Sequence, residues 1–271
     1  MNDSSRQPGF RGDEPSVQPG PPGKQGLSDK QGQSVQGQSV KRWFADLAQA
    51  GGIEVLGGTA LFVVFFYQAN PRNLAGWIGP LLDAGRLPWA AHLASFLLGL
   101  VLLVAVPALW WRLGRRGSLD DVGFGLGDVR FGLAAAGLAA LLVTPLLYVN
   151  AGDPAFQQTY PLVKEAGAST QAFLVWEAMY LLYYVAWEAF FRGFWLLGLE
   201  DRMGAMPALL LQTAVSTVAH LHRPEPETMA ALAAGLGFGW LALRARSFWY
   251  LVLLHWYIGM ATDLFCLVRS P

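Results

Sequence analysis

The chain has 271 residues, of which 54 % are hydrophobic and only 14 % charged, with 19 basic and 19 acidic side chains in balance. That charge fraction lies well below the roughly 25 % of a soluble domain, and zero net charge argues against a nucleic-acid partner. The single cysteine, Cys266, excludes an intrachain disulfide and a multi-cysteine metal site, and reads as a small buried apolar filler.

Residues 1–42 are rich in Gly, Pro, Gln and Ser and almost free of large apolar side chains. Such a segment cannot bury enough surface to offset its ordering entropy, so it reads as a disordered tail. It lacks the apolar core of a signal peptide. Seven candidate spans follow, at 47–69, 88–111, 131–149, 169–199, 204–221, 228–244 and 247–268. The expected fold class is therefore all-α, a polytopic bundle of about seven membrane helices. Residues 43–165 are N-terminal membrane helices and 166–268 the functional membrane domain. The amphipathic stretch 70–87 is expected at the interface, and eleven Trp suit interfacial belts. No internal repeat is evident.

Basic residues set the expected orientation. Lys41 and Arg42 precede the first span, Arg112, Arg115, Arg116 and Arg130 follow the second, Arg202 follows the fourth, and Arg244 and Arg246 follow the sixth. The alternate loops carry fewer, namely Arg72, Arg86, Lys164 and Arg223. The positive-inside rule then puts the N-terminus in the cytoplasm and the C-terminus outside.

The polar residues inside the apolar segments carry the functional signal. Glu188 and Arg192 stand in Trp187-Glu188-Ala189-Phe190-Phe191-Arg192, at a cost of roughly 2.5 to 3.5 kcal/mol for each ionisable group at a span centre. At spacing i, i+4 they share a helix face. With a rise of 1.5 Å per residue, Glu188 lies roughly 16 Å, Arg192 roughly 10 Å, His220 roughly 22 Å and His255 roughly 12 Å from the cytoplasmic turns. Three helices thus bring a carboxylate, a guanidinium and two imidazoles into one band. Tyr184, one turn before Glu188, is placed to donate a hydrogen bond to it. Glu177 lies nearly three turns before Glu188 on the same face. Asp263 lies two turns after His255, either bonding it or reaching the outer surface. The blander reading of Glu188 and Arg192 is an ion pair that holds the bundle together. Glu54, His92 and His222 read as interfacial.

A carboxylate and histidines beside a water-filled cavity can hydrolyse an amide. The carboxylate takes a proton from water, a histidine holds that water, and another donor stabilises the oxyanion. No Ser-centred elbow and no HExxH motif is present. No cofactor is expected. Zinc held by Glu188, His220 and His255 is an alternative, since carboxylate and imidazole are both zinc ligands.

Residues 170–265 resemble the CPBP family of intramembrane proteases, which includes CAAX-processing, Rce1-like and bacteriocin-processing enzymes. The family pattern is Glu-Glu-x-x-x-Arg, then Phe-x-x-x-His, then His-x-x-x-Asn. Glu188, Arg192 and Gly193-Phe194 match the first motif, His220 the second and His255 the third. Gly235 to Trp240 and Arg244 to Trp249 resemble the family's glycine-bearing helix and turn. Three positions depart: Trp187 stands for the first Glu, Ser216 for the aromatic residue and Gly259 for the Asn. In the family the first Glu activates water, and the last His and Asn form the oxyanion site. The resemblance implies an endopeptidase in which Glu188 is the acid/base, His220 positions water, His255 donates to the oxyanion and Arg192 orients Glu188. Its expected partners are the bilayer and a membrane protein or lipidated peptide, in a bacterial inner membrane. A catalytically inactive scaffold, for which Trp187 speaks, and a transporter are the alternatives.

Overall fold

The computed structural model describes residues 40–270. Most of the expected tail, 1–39, lies outside these residues. Among the described residues the fold is all-α, without strands. In chain order the helices are α1 (Val40–Gln49), α2 (Gly52–Gln68), α3 (Pro71–Ile78), α4 (Leu87–Gly114), α5 (Val129–Asn150), α6 (Pro154–Thr159), α7 (170–203), α8 (Ala205–Val218), α9 (Glu225–Ala245) and α10 (Trp249–Arg269).

Local chemistry sets the ends of these helices. Pro71 opens α3, where a missing N–H costs nothing, and the Asn70 side chain accepts from the Arg72 N–H at 3.0 Å. Asp128 caps α5 by accepting from the Phe131 N–H at 3.1 Å, and Ser169 caps α7 by accepting from the Ala172 N–H at 3.1 Å. This bond, with the Arg244 guanidinium beside it, holds the Asp128 carboxyl below its usual range. Pro107 lies inside α4, where it removes a backbone donor, and α4 carries wide π turns on either side, at Leu100–Ala105 and Trp110–Gly114. Gly127 bridges α9 and α5 at φ +53°, and a Cβ there would run into the Ala245 carbonyl, which the neighbouring Asp128 N–H already occupies at 2.9 Å.

Helix α7 is the axis of the bundle. Every residue from Ala186 to Leu199 is buried, as expected of a helix that is apolar on all sides. Phe62 of α2 packs on Trp187, Phe190 and Phe191, and Phe96 of α4 on Trp176 and Tyr180. Helices α8, α9 and α10 close the remaining sides. The periphery is apolar instead of charged. Leu133, Leu138, Leu141, Leu142, Leu146 and Val149 of α5 all face outward, an expanse that only lipid or another protein can cover.

Four helices, α4, α5, α9 and α10, are long and apolar enough to cross a membrane, or five spans if the α2–α3 pair, bent by 56°, counts as one. The expected count of seven is therefore not established. Helix α7 is long enough but carries Glu177, Glu188 and Arg192, which lower its hydropathy. Helix α8 has 14 residues, roughly 21 Å of rise against a core of about 30 Å. The expected interfacial stretch 70–87 holds α3. Cys266 is fully buried, as its apolar reading anticipated.

Candidate active site

Glu188 ends the regular part of α7. Immediately after it, Ala189–Leu197 adopts wide π turns, a rare conformation that recurs at functional sites. The Glu188 side chain is fully buried and Arg192 nearly so. Arg192 Nη1 donates to Glu188 Oε1 at 3.4 Å. Its Nε lies 3.3 Å from Oε2 but is misaligned for a hydrogen bond, so neither of these two atoms has one among the described residues. Arg192 also lies over the Phe238 ring of α9 at 5.4 Å. A buried pair of this kind must be held by its surroundings, because desolvation opposes it.

Helix α10 delivers His255 to the same carboxylate. Its Nδ1 lies 2.5 Å from Glu188 Oε1. With Nδ1 as the donor to this carboxylate, Nε2 has no partner among the described residues. The imidazole is held by Tyr184 at 4.7 Å and Phe238 at 5.7 Å between ring centres.

His220 sits in the turn that follows α8. Its Nδ1 donates to the Ser216 carbonyl at 2.7 Å, and its own carbonyl accepts from the Thr228 hydroxyl at 2.6 Å. Trp187 meets the ring edge-on at 5.4 Å. Here too Nε2 has no partner among the described residues. His220, His255 and Arg192 line one cavity of about 390 Å³, together with Tyr184, Ser216 and Gly259. Glu188 is not on its wall.

The structure therefore brings Glu188, Arg192 and His255 into direct contact and places His220 on the same cavity. Other expected contacts are absent. Tyr184 makes no hydrogen bond with Glu188. Glu177 is buried away from Glu188, with neither carboxyl oxygen bonded to an aligned donor among the described residues. Asp263 neither bonds His255 nor reaches the surface, because it is buried and accepts from Trp176 Nε1 at 2.7 Å. Glu54 is mostly buried, paired with Arg115 at 3.2 Å and Trp110 at 3.3 Å. His92 packs inward against Trp176 at 5.5 Å, and His222 is exposed. Trp187 fills an aromatic cluster with Phe62 and Phe191 and brings no acidic group.

Gly259 explains where the Tyr184 hydroxyl went. A Cβ at position 259 would lie only 2.0 Å from the Tyr184 hydroxyl oxygen, so the hydroxyl occupies the space that the absent side chain leaves. We expect Gly259→Ala to cost about 1–3 kcal/mol through overpacking. Adding Tyr184→Phe should recover part of that loss. Thermal unfolding of both variants in detergent checks this, and additive losses would contradict it.

The zinc alternative does not fit this arrangement. Among the described residues no group of three or more His, Cys, Asp or Glu side chains is placed to hold a metal ion. The Glu188 oxygens are directed at His255 and Arg192, and His220 approaches neither.

Fold and site together define a helical integral membrane protein with a buried Glu–Arg–His cluster beside a cavity of about 390 Å³. Residues 169–261 match the family model described as type II CAAX prenyl endopeptidase Rce1-like. The C-terminal part of the chain thus carries an Rce1-like domain, consistent with a CPBP family protease. No curated protein and no solved structure matches the chain.

The sequence reading overlooked Arg223, which lines the same cavity. In the sequence it is a loop charge three residues after His220, with no apolar surroundings to single it out.

Proposed function

We propose that this protein hydrolyses peptide bonds of membrane-associated proteins, with a Glu188–His255 dyad as the proton acceptor. The carrying observation is the 2.5 Å contact between His255 Nδ1 and Glu188, on an imidazole that lines the cavity. Nε2 takes a proton from water as the water oxygen attacks the scissile carbonyl carbon. Glu188 fixes the tautomer and stabilises the imidazolium, as the carboxylate does in Ser-His-Asp triads. The proton then passes to the leaving amine. His220 Nε2 positions the water. Arg192 pairs with Glu188 and adds positive charge beside the developing oxyanion.

This reading exchanges two roles expected from the sequence. His255 becomes the immediate base, and Glu188 acts through it. The substrate class is a lipidated or C-terminally sorted membrane peptide, and the location is the inner membrane of a bacterium with the N-terminus in the cytoplasm.

The test is cleavage of quenched fluorescent membrane peptides by the purified protein in liposomes. His220→Ala and His255→Ala should each lower kcat/KM by about 10²- to 10⁴-fold, and strong chelators should leave the rate unchanged. Undiminished cleavage by both variants would reject the mechanism. Trp187, bulky and unable to act as a base, favours a second reading, an inactive membrane scaffold. Silence of the wild type, with both variants rescuing a deletion strain, would support it.

A further inference from the structure

Helices α7 and α10 meet at two polar levels. At the first, His255 contacts Glu188. At the second, two turns further along α10, Asp263 faces Glu177 of α7 within hydrogen-bond reach. Both side chains are buried, Glu177 at 2 % and Asp263 at 0 % exposure. Two tryptophans clasp this level crosswise. Trp176 of α7 donates to Asp263 Oδ2 at 2.7 Å, and Trp256 of α10 donates to the Glu177 carbonyl at 3.0 Å.

The clasp leaves three carboxyl oxygens unserved. Both oxygens of Glu177, and Oδ1 of Asp263, are buried with no bonded donor among the described residues. No cation neutralises them either, since no described Arg, Lys or His lies within ion-pair distance of these two groups. Lys164 and Arg223 face Asp263 from the neighbouring loops. Lys164, however, donates to the Gln157 and Tyr160 carbonyls at 2.9 Å each, and Arg223 lies over the Tyr160 ring. The other titratable neighbours are neutral: Tyr180 and Tyr184 on α7, and Cys266 on α10.

Two ionised carboxylates in such a place would repel each other and would lack the donors that water gives them outside. A carboxyl group that keeps its proton is itself a donor, and its neighbour can accept. One proton therefore removes the repulsion and supplies the missing hydrogen bond together. The two levels are also mechanically linked. Between them the Tyr184 hydroxyl fills the gap at Gly259, so one helix cannot slide past the other, and whatever fixes the second level fixes the first.

We propose that Glu177 and Asp263 hold a single proton between them, and that this neutral latch sets the register of α7 against α10 and with it the contact of His255 with Glu188. Both are positioning residues. Only the consequence for catalysis rests on the peptidase reading above, and the latch is tested without turnover.

The experiment uses the full-length protein in phosphatidylcholine nanodiscs at neutral pH. Infrared difference spectra compare wild type with Glu177→Gln and with Asp263→Asn. Each single substitution should remove one protonated-carboxyl band, because the remaining carboxylate then accepts from the new amide and ionises. Having two variants keeps the test alive if one does not fold. A difference showing only the loss of an ionised carboxylate, in either variant, overturns the proposal. The second measurement is nitrogen NMR of labelled histidine, with the His255 signals assigned from His255→Ala. Glu177→Gln, whose amide donates as the protonated acid does, should leave those signals in place, whereas Glu177→Ala should move them by more than a linewidth. Signals that move equally in both, or in neither, overturn the latch. Absence of cleavage by a wild type that shows the band and the signals as expected would sink the hydrolytic reading and leave the latch standing.

Discussion

Glu188→Gln should lower kcat/KM by about 10³- to 10⁴-fold, with little change in overall fold. The amide keeps the volume and can still face Nδ1, but it presents a donor as readily as an acceptor. It therefore loses control of the His255 tautomer and cannot stabilise an imidazolium. The comparable substitution in a Ser-His-Asp triad costs about 10⁴ in kcat. The double variant Glu188→Gln/His255→Ala decides whether the two act as one unit. A unit gives a double variant no slower than the slower single one. Multiplying losses would mean that Glu188 reaches the water by itself. Near-wild-type cleavage by Glu188→Gln would remove the carboxylate from the mechanism altogether.

Arg192→Leu should destabilise the protein by about 3–5 kcal/mol, the cost of leaving one member of a buried pair without the other. Glu188 is fully buried, and after the change its remaining partner is His255. The double variant Glu188→Leu/Arg192→Leu should be markedly more stable than Arg192→Leu alone, because no unpaired charge remains. Unfolding in mixed micelles measures both. A loss below about 1 kcal/mol in Arg192→Leu would show that the pair is as weakly coupled as one on an exposed surface.

The ingredients of the site were legible in the sequence because ionisable residues stand out in apolar segments. Glu188, Arg192, His220 and His255 stand out that way, and counting residues from the turns puts them in one band of the membrane. Contact direction was not legible. A register argument cannot say that the Tyr184 hydroxyl turns to the gap at Gly259 instead of to Glu188, since that depends on a missing side chain 75 residues away in sequence. Nor could it place Asp263 against Trp176, a contact between two helices whose relative rotation is set by packing. The π turns after Glu188 add to this, because a 3.6-residue period loses its phase through Ala189–Leu197. Helix existence followed from apolar runs, whereas span number did not, because Tyr, Trp and buried charge in α7 dilute hydropathy where the helix is most enclosed.

The shortness of α8 bears on the solvent. Its 14 residues rise roughly 21 Å where the hydrocarbon is about 30 Å thick. A bilayer meeting such a mismatch thins locally or admits polar groups. The turn carrying His220 and Arg223 closes that short helix, so the hydrophobic barrier is weakest where the cavity needs a nucleophile. Lengthening α8 would seal the membrane over the imidazole, and the reaction would then be limited by the supply of water instead of by the chemistry of the dyad.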